Sequence, residues 1–209
     1  MKSSRIYGAA ALLLAAGLGG GAAFFAMNDN PFAECGGGMA TGAAAIGGPF
    51  TLVSGAGERV TSAEVIDRPA LLYFGYTFCP DVCPVDAAAM AQTADLLKER
   101  GLDVKTAFIT VDPARDNEAV VRDFAANLHP EMIGLTGSEA EIDAAKSAYR
   151  VYAQKAPGQA EDDPYYLVDH SAFIYLMAAE DRLLTVFRHG VPPEDMAETA
   201  ACYLRAAGA

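Results

Sequence analysis

Two cysteines stand four positions apart in the run Cys79-Pro-Asp-Val-Cys83-Pro84. The stretch before them, Leu71-Leu-Tyr-Phe-Gly-Tyr76, is apolar, and the alanine-rich stretch after them, residues 85–100, has the composition of a helix. Thiols that follow a strand and open a helix lie near the positive end of the helix dipole, which favours thiolate. Thiolate both attacks disulfides and binds metal, so ionisation alone does not choose between the two chemistries. Spacing says more. Residues at i and i+4 share one face of a helical turn. Two sulfurs there converge on a soft ion, and thiolates select Cu(I) or zinc. The same pair can also close a disulfide.

A metal held by two sulfurs needs a further ligand from elsewhere, and the chain has three histidines. His129 precedes Pro130 at the end of a polar helical stretch and reads as a surface or capping residue. His189-Gly190 follows a strand-like run and reads as a turn. His170, in Tyr166-Leu-Val-Asp-His-Ser171, directly precedes the apolar run 172–177 and is the candidate third ligand. Asp81, between the cysteines, and Asp169, beside His170, are candidates for orienting those ligands. Asp112 opens a loop that belongs near the site. Each of the three carboxylates also has a plain reading as a turn or capping group. Tyr73, Tyr76 and Phe78 are read as core and site-wall aromatics.

The elements that must hold these residues alternate. Residues 50–53 and 59–61 flank Ser-Gly-Ala-Gly57 as a hairpin, and 71–76 is a buried strand. A helix over 85–100, started by Pro84, is stopped by Gly101. Strand 104–111, helix 117–128 with Asp116 as its cap, and strand 132–135 follow. Ser138 with Glu141 forms a capping box opening a helix to about 152. Residues 156–164 are an acidic, proline-containing loop. Strands 172–177 and 183–187 make a hairpin, and 194–205 is the last helix. The pattern predicts one α/β domain of thioredoxin type, a central sheet flanked by helices. Cys79 then lies past a strand end, where open α/β sheets present ligands. In thioredoxin-type oxidoreductases a cis-proline stands opposite the cysteines, just before the corresponding strand. This segment has no proline, and His170 occupies its neighbourhood.

The N-terminal segment is of another kind. Residues 7–27 carry no charge over 21 positions, and about 20 helical residues cross the roughly 30 Å hydrocarbon core. Lys2 and Arg5 precede the span and place residues 1–6 in the cytoplasm. A cleaved signal peptide is the rival reading; the run is long for one, and no Ala-x-Ala site follows it. No Arg/Ser-rich transit peptide is visible. The reading is a transmembrane anchor over 7–27, a flexible Gly/Ala/Pro-rich linker over 28–47 and a folded domain over 48–209 in the periplasm of a bacterium. Beyond the anchor 13 basic residues face 27 acidic ones. Such a domain is no nucleic-acid binder, because phosphate is contacted mainly by Lys and Arg. The charge serves solubility, or steers cations and basic partners.

Three segments, Phe74-Gly-Tyr-Thr-Phe-Cys-Pro-Asp-Val-Cys-Pro84, Thr110-Val-Asp-Pro-Ala-Arg-Asp116 and Tyr166-Leu-Val-Asp-His-Ser171, in that order, resemble the Sco/SenC family. The resemblance covers residues 48–205. It implies a membrane-anchored copper protein of cytochrome c oxidase assembly, with Cys79, Cys83 and His170 binding one Cu(I) or Cu(II). It further implies that copper is delivered to the binuclear centre of oxidase subunit II, or that subunit II's cysteines are prepared for it. Other periplasmic copper chaperones or thioredoxin-like reductants would be the remaining partners.

The alternative is a thiol–disulfide oxidoreductase in which Cys79 and Cys83 are a redox pair. Apart from that activity the chain is not expected to be a conventional enzyme. Peroxidase chemistry is disfavoured: Leu72 and Tyr76 stand where peroxiredoxins place Pro and Thr ahead of the reactive cysteine. Cys35 and Cys202 lie outside the family motifs. In an oxidising compartment the two are candidates to pair with each other; otherwise Cys202 is a buried apolar residue and Cys35 a free or intermolecular thiol.

Overall fold

A computed structural model of the chain describes residues 31–36, 46–160 and 163–208. The expected cytoplasmic stub and transmembrane segment, and most of the expected linker, lie outside the described residues. Among the described residues no helix is long and apolar enough to cross a membrane. The chain divides into two units, Met1–Glu34 and Cys35–Ala209. Of the first, only a turn over 31–34 is described.

The second unit runs β1 (Thr51–Ser54), β2 (Arg59–Thr61), α1 (Ser62–Val65), β3 (Ala70–Gly75), α2 (Val82–Glu99), β4 (Lys105–Thr110), α3 (Glu118–Leu128), β5 (Ile133–Thr136), α4 (Glu139–Tyr149), β6 (Ala153–Lys155), β7 (Val168–His170), β8 (Phe173–Ala178), β9 (Arg182–Arg188) and α5 (Pro193–Ala207). Seven strands form one mixed sheet in the order β2-β1-β5-β4-β3-β8-β9. Strands β3, β4 and β5 are parallel and joined through α2 and α3, while β1, β8 and β9 pair antiparallel. The α/β architecture read from the alternating pattern is the one observed.

Every residue of β3 is buried, which is why its sequence is apolar without alternation, as parallel strands covered on both faces require. Phe74 points to one face, against Tyr149 of α4 and Tyr175 of β8. Tyr73 points to the other, against Phe108 of β4 and the His170 ring. Gly75 ends the strand because nothing larger fits. A Cβ there would lie 2.7 Å from Tyr73 Cε1 and 3.1 Å from Cys83 Sγ. The bare backbone lets Cys83 close down over the strand end.

The structure corrects several expected boundaries. Helix α2 opens at Val82 instead of after Pro84, so Cys83 and Pro84 both lie in its first turn. Proline is tolerated there because the first N–H groups of a helix have no partner inside it. The cap of α3 is Asn117, which accepts from Val120 N, in place of Asp116. Helix α4 keeps its Ser138/Glu141 capping box but stops at Tyr149, where Arg150 turns the chain with a φ of 57°. Two elements went unread: the one-turn helix α1 and a two-stranded ribbon in which β6 pairs β7, with Ala153 opposite His170.

Cys35 and Cys202 form a disulfide, their Cα atoms 5.6 Å apart, which decides between the readings left open by the sequence. Cys79 and Cys83 are free thiols. Closing a loop of this separation stabilises by at most about 5 kcal/mol in the chain-entropy account. Mass mapping without reductant is expected to find Cys35 and Cys202 in one cross-linked peptide pair, and alkylation on Cys79 and Cys83. Alkylation of all four thiols in the oxidised protein would refute the pairing.

Candidate metal centre

The loop between β3 and α2 carries Cys79, and its shape is fixed by one buried carboxylate. Asp116 accepts from Thr77 N at 2.9 Å, from Thr77 Oγ1 at 2.6 Å and from Thr110 Oγ1 at 2.6 Å. Its own carbonyl accepts from Thr136 Oγ1 at 2.6 Å. Burial holds the Asp116 carboxyl above the ordinary carboxylate range, and the three donors offset this only in part. The residue read as a helix cap is therefore the tie that joins the cysteine loop to β4 and β5. Cys79 N then donates to Tyr76 O at 3.2 Å, closing the turn.

Cys83 has no exposed surface, and its backbone N–H donates to Cys79 Sγ at 3.3 Å. His170 reaches across from the end of β7. Its Nε2 lies 3.2 Å from Cys83 Sγ, and its Nδ1 lies 3.1 Å from the carbonyl of Ser171. A carbonyl only accepts, so Nδ1 carries a proton there, and Nε2 is the ring nitrogen that faces the sulfurs. Tyr76 and Tyr73 meet the imidazole edge-on, with ring centres at 5.7 Å and 6.2 Å, and wall it in.

One ligand atom each from Cys79, Cys83 and His170 lies within 4.8 Å of the others. Metal bonds of about 2.0–2.3 Å need donors no more than about 4.6 Å apart, so the three close on one soft ion with little movement. A cavity of about 270 Å³ opens onto Cys79 and His170, lined also by Pro80, Asp81, Leu167 and Asp169, among others; Cys83 lies beneath it.

The two thiols are unequal. The Cys79 thiol is held far below the ordinary thiol range, first by the hydrogen bond from the Cys83 thiol. His170 and the backbone N–H groups of Asp81 and Cys83 add to this against the cost of burial. Cys83 moves the opposite way, raised by its bond to Cys79 and by burial. Without a metal the pair holds one thiolate and one proton.

The other candidates are placed as follows. Asp81 and Asp169 are exposed at the cavity mouth, and the group that orients His170 is the Ser171 carbonyl. Asp112 is buried and holds Arg115 Nε at 2.6 Å and the Tyr166 hydroxyl at 2.6 Å. His129 caps the end of α3 and pairs with Asp95, away from the cysteines. His189 stands in a turn on the buried carboxylate of Asp86, at 2.8 Å. From the sequence Asp116 reads only as a cap and Arg115 carries no role, although both stand in the quoted run Thr110–Asp116. Beyond the nearby Asp112 and Thr110, the partners that tie them to the site, Thr77 and Pro164, lie 39 and 49 residues away.

Residues 38–205 match the family described as SCO1/SenC. The chain belongs to the SCO1/SenC family. Protein SenC of Rhodobacter capsulatus is 42% identical over 206 residues, which cover 98% of this chain and 91% of that protein. The solved structure of Arabidopsis thaliana ScoI with copper bound matches with a TM-score of 0.71 at 40% identity, over 77% of this chain and 99% of that one. A structure of BsSco, described as a member of the Sco family of cytochrome c oxidase assembly proteins with a disulfide switch, matches with a TM-score of 0.58 at 26% identity, over 75% and 91%.

In this SCO1/SenC member the unequal thiols have a direct readout. Iodoacetamide is expected to label Cys79 well ahead of Cys83 in the metal-free protein. The rate should change little between pH 6 and pH 8, a range over which an ordinary thiol, with a pKa of about 8.5, gains roughly tenfold thiolate per unit. Labelling of Cys83 first, or an ordinary pH slope, would contradict the assignment.

Proposed function

We propose that the protein is a membrane-anchored copper metallochaperone of the bacterial periplasm. It binds one copper through Cys79, Cys83 and His170 and serves the binuclear copper centre of cytochrome c oxidase subunit II. The observation that carries this reading is the convergence of two sulfurs and one imidazole within 4.8 Å at an open cavity. Two soft sulfurs suit Cu(I), and an imidazole suits Cu(II) as well. Support also comes from the likeness to ScoI with copper bound and to a Sco protein of oxidase assembly. The uncharged run 7–27 supports the anchor, with the domain on the periplasmic side.

The residues divide the work. Cys79 presents a thiolate at the mouth. Cys83 loses its proton when metal enters, because only the thiolate is a ligand. His170 offers Nε2 from the ribbon. With three protein ligands and an open side, an incoming sulfur or imidazole of an acceptor protein has room to bind the copper before these residues let go. Transfer by ligand exchange needs that opening.

A second reading, reduction of the oxidase cysteines, is favoured by the thiolate–thiol pair itself. Cys79 S⁻ attacks a partner disulfide and expels one partner thiolate. Cys83, deprotonated, then attacks the mixed disulfide, leaving a Cys79–Cys83 bond and a reduced partner dithiol. An outside thiol donor must reduce the pair again.

Copper titration of the full-length chain separates the two. The expected stoichiometry is one copper per chain. His170→Ala should weaken binding by more than about 100-fold, beyond the usual cost of losing an orienting partner. Wild-type affinity in His170→Ala refutes the three-ligand site. Disulfide reduction that persists in that variant, with no copper retained by the wild type, would establish the reductase instead.

A further inference from the structure

The third ligand stands outside the seven-stranded sheet. Strands β6 and β7 form a separate two-stranded ribbon, whereas Cys79 and Cys83 are seated at the end of central strand β3. At the base of the ribbon, Ser171 N donates to Tyr152 O at 2.9 Å, and Tyr152 N to Ser171 Oγ at 3.1 Å. Further out, Arg115 touches both the loop that joins the ribbon strands and the cysteine loop.

Arg115 Nε donates to Asp112 Oδ2 at 2.6 Å, and Nη1 donates to the Pro164 carbonyl at 3.2 Å. The guanidinium carbon lies 3.5 Å from the centre of the Tyr166 ring and 4.8 Å from that of Phe78. Phe78 adjoins Cys79, and Tyr166 stands four residues before His170. The Tyr166 hydroxyl donates to Asp112 Oδ1 at 2.6 Å. One carboxylate therefore holds both the cation and the ring stacked on it. The side chains of Arg115 and Asp112 are only 11% and 6% exposed. A planar guanidinium can stack on rings while its edge bonds a carboxylate; a lysine ammonium has no such plane.

We infer that Arg115, Asp112 and Tyr166 form a staple between the cysteine loop and the ribbon, and that it sets where His170 stands relative to the two sulfurs. The three are positioning residues of the centre, and the inference rests on the three-ligand reading above. The staple's stacking contacts reach the two segments that carry Cys79 and His170, and none touches a ligand atom.

The test uses the full-length chain with Arg115→Ala, and with Tyr166→Leu, which removes the same stacking contact from a partly buried ring. In metal-free protein, amide hydrogen exchange at residues 168–170 should rise in both variants while the seven-stranded sheet keeps its protection. Copper affinity should fall by about 10- to 100-fold, the usual cost of an orienting partner. That loss should vanish when Arg115→Ala is placed in the His170→Ala background, because the staple acts through His170. Unchanged exchange at the ribbon, or the same loss in both backgrounds, overturns the staple and leaves the three ligands standing. The three-ligand reading fails on a different result, wild-type affinity in His170→Ala alone.

Discussion

Cys83 is sealed from water with its sulfur close to a second sulfur, and this constraint governs the centre. Two like charges about 4 Å apart repel by about 4 kcal/mol at the effective dielectric of a protein near its surface, and the water that would screen them is excluded from one of them. The site therefore does not stay doubly ionised without a compensating positive charge. In the metal-free protein a proton supplies it: Cys83 keeps its hydrogen, Cys79 gives its own up, and the difference between their acidities is the sharing of that proton. A soft cation meets the same need with better geometry, since it bonds both sulfurs at once and accepts the free lone pair of His170. Closing a disulfide removes both charges by another route, which is why the metal and redox readings draw on the same two atoms.

The fold meets this constraint by dividing the ligands between a seat at the end of the central sheet and an arm outside it. The seat is the end of β3, where Gly75 leaves space for the Cys83 sulfur and Asp116 fixes the loop before Cys79. Its hydrogen bonds run into β4 and β5, so the seat is as stable as the sheet. The arm is the β6–β7 ribbon, outside the sheet, with His170 at the last position of its second strand.

Much of this was legible in the sequence, for reasons that differ from residue to residue. The chemistry admits few residue types as soft-metal ligands, so Cys79, Cys83 and His170 stand out. The parallel strands are legible because burial on both faces makes them continuously apolar. Helix α4 announces its start through Ser138 and Glu141, neighbours three residues apart. What was missed depends on distance along the chain. Asp116 was read as a cap because its local position suits one, yet its defining donor, Thr77, lies 39 residues away. The Asp112–Tyr166 bond spans 54 residues. The three-residue strands Ala153-Gln-Lys155 and Val168-Asp-His170 hold too few apolar side chains to show a period. Pro84 was taken as the helix start, although its missing N–H is equally harmless anywhere in the first turn.

The central claim is that two sulfurs and one imidazole of a single chain share one copper. X-ray absorption at the copper edge of the full-length protein loaded with one equivalent of copper counts those neighbours directly. The account predicts two sulfur scatterers and one imidazole nitrogen, with the nitrogen lost in His170→Ala and both sulfurs retained. A copper shell with fewer than two sulfurs, or with a nitrogen that survives His170→Ala, would contradict it.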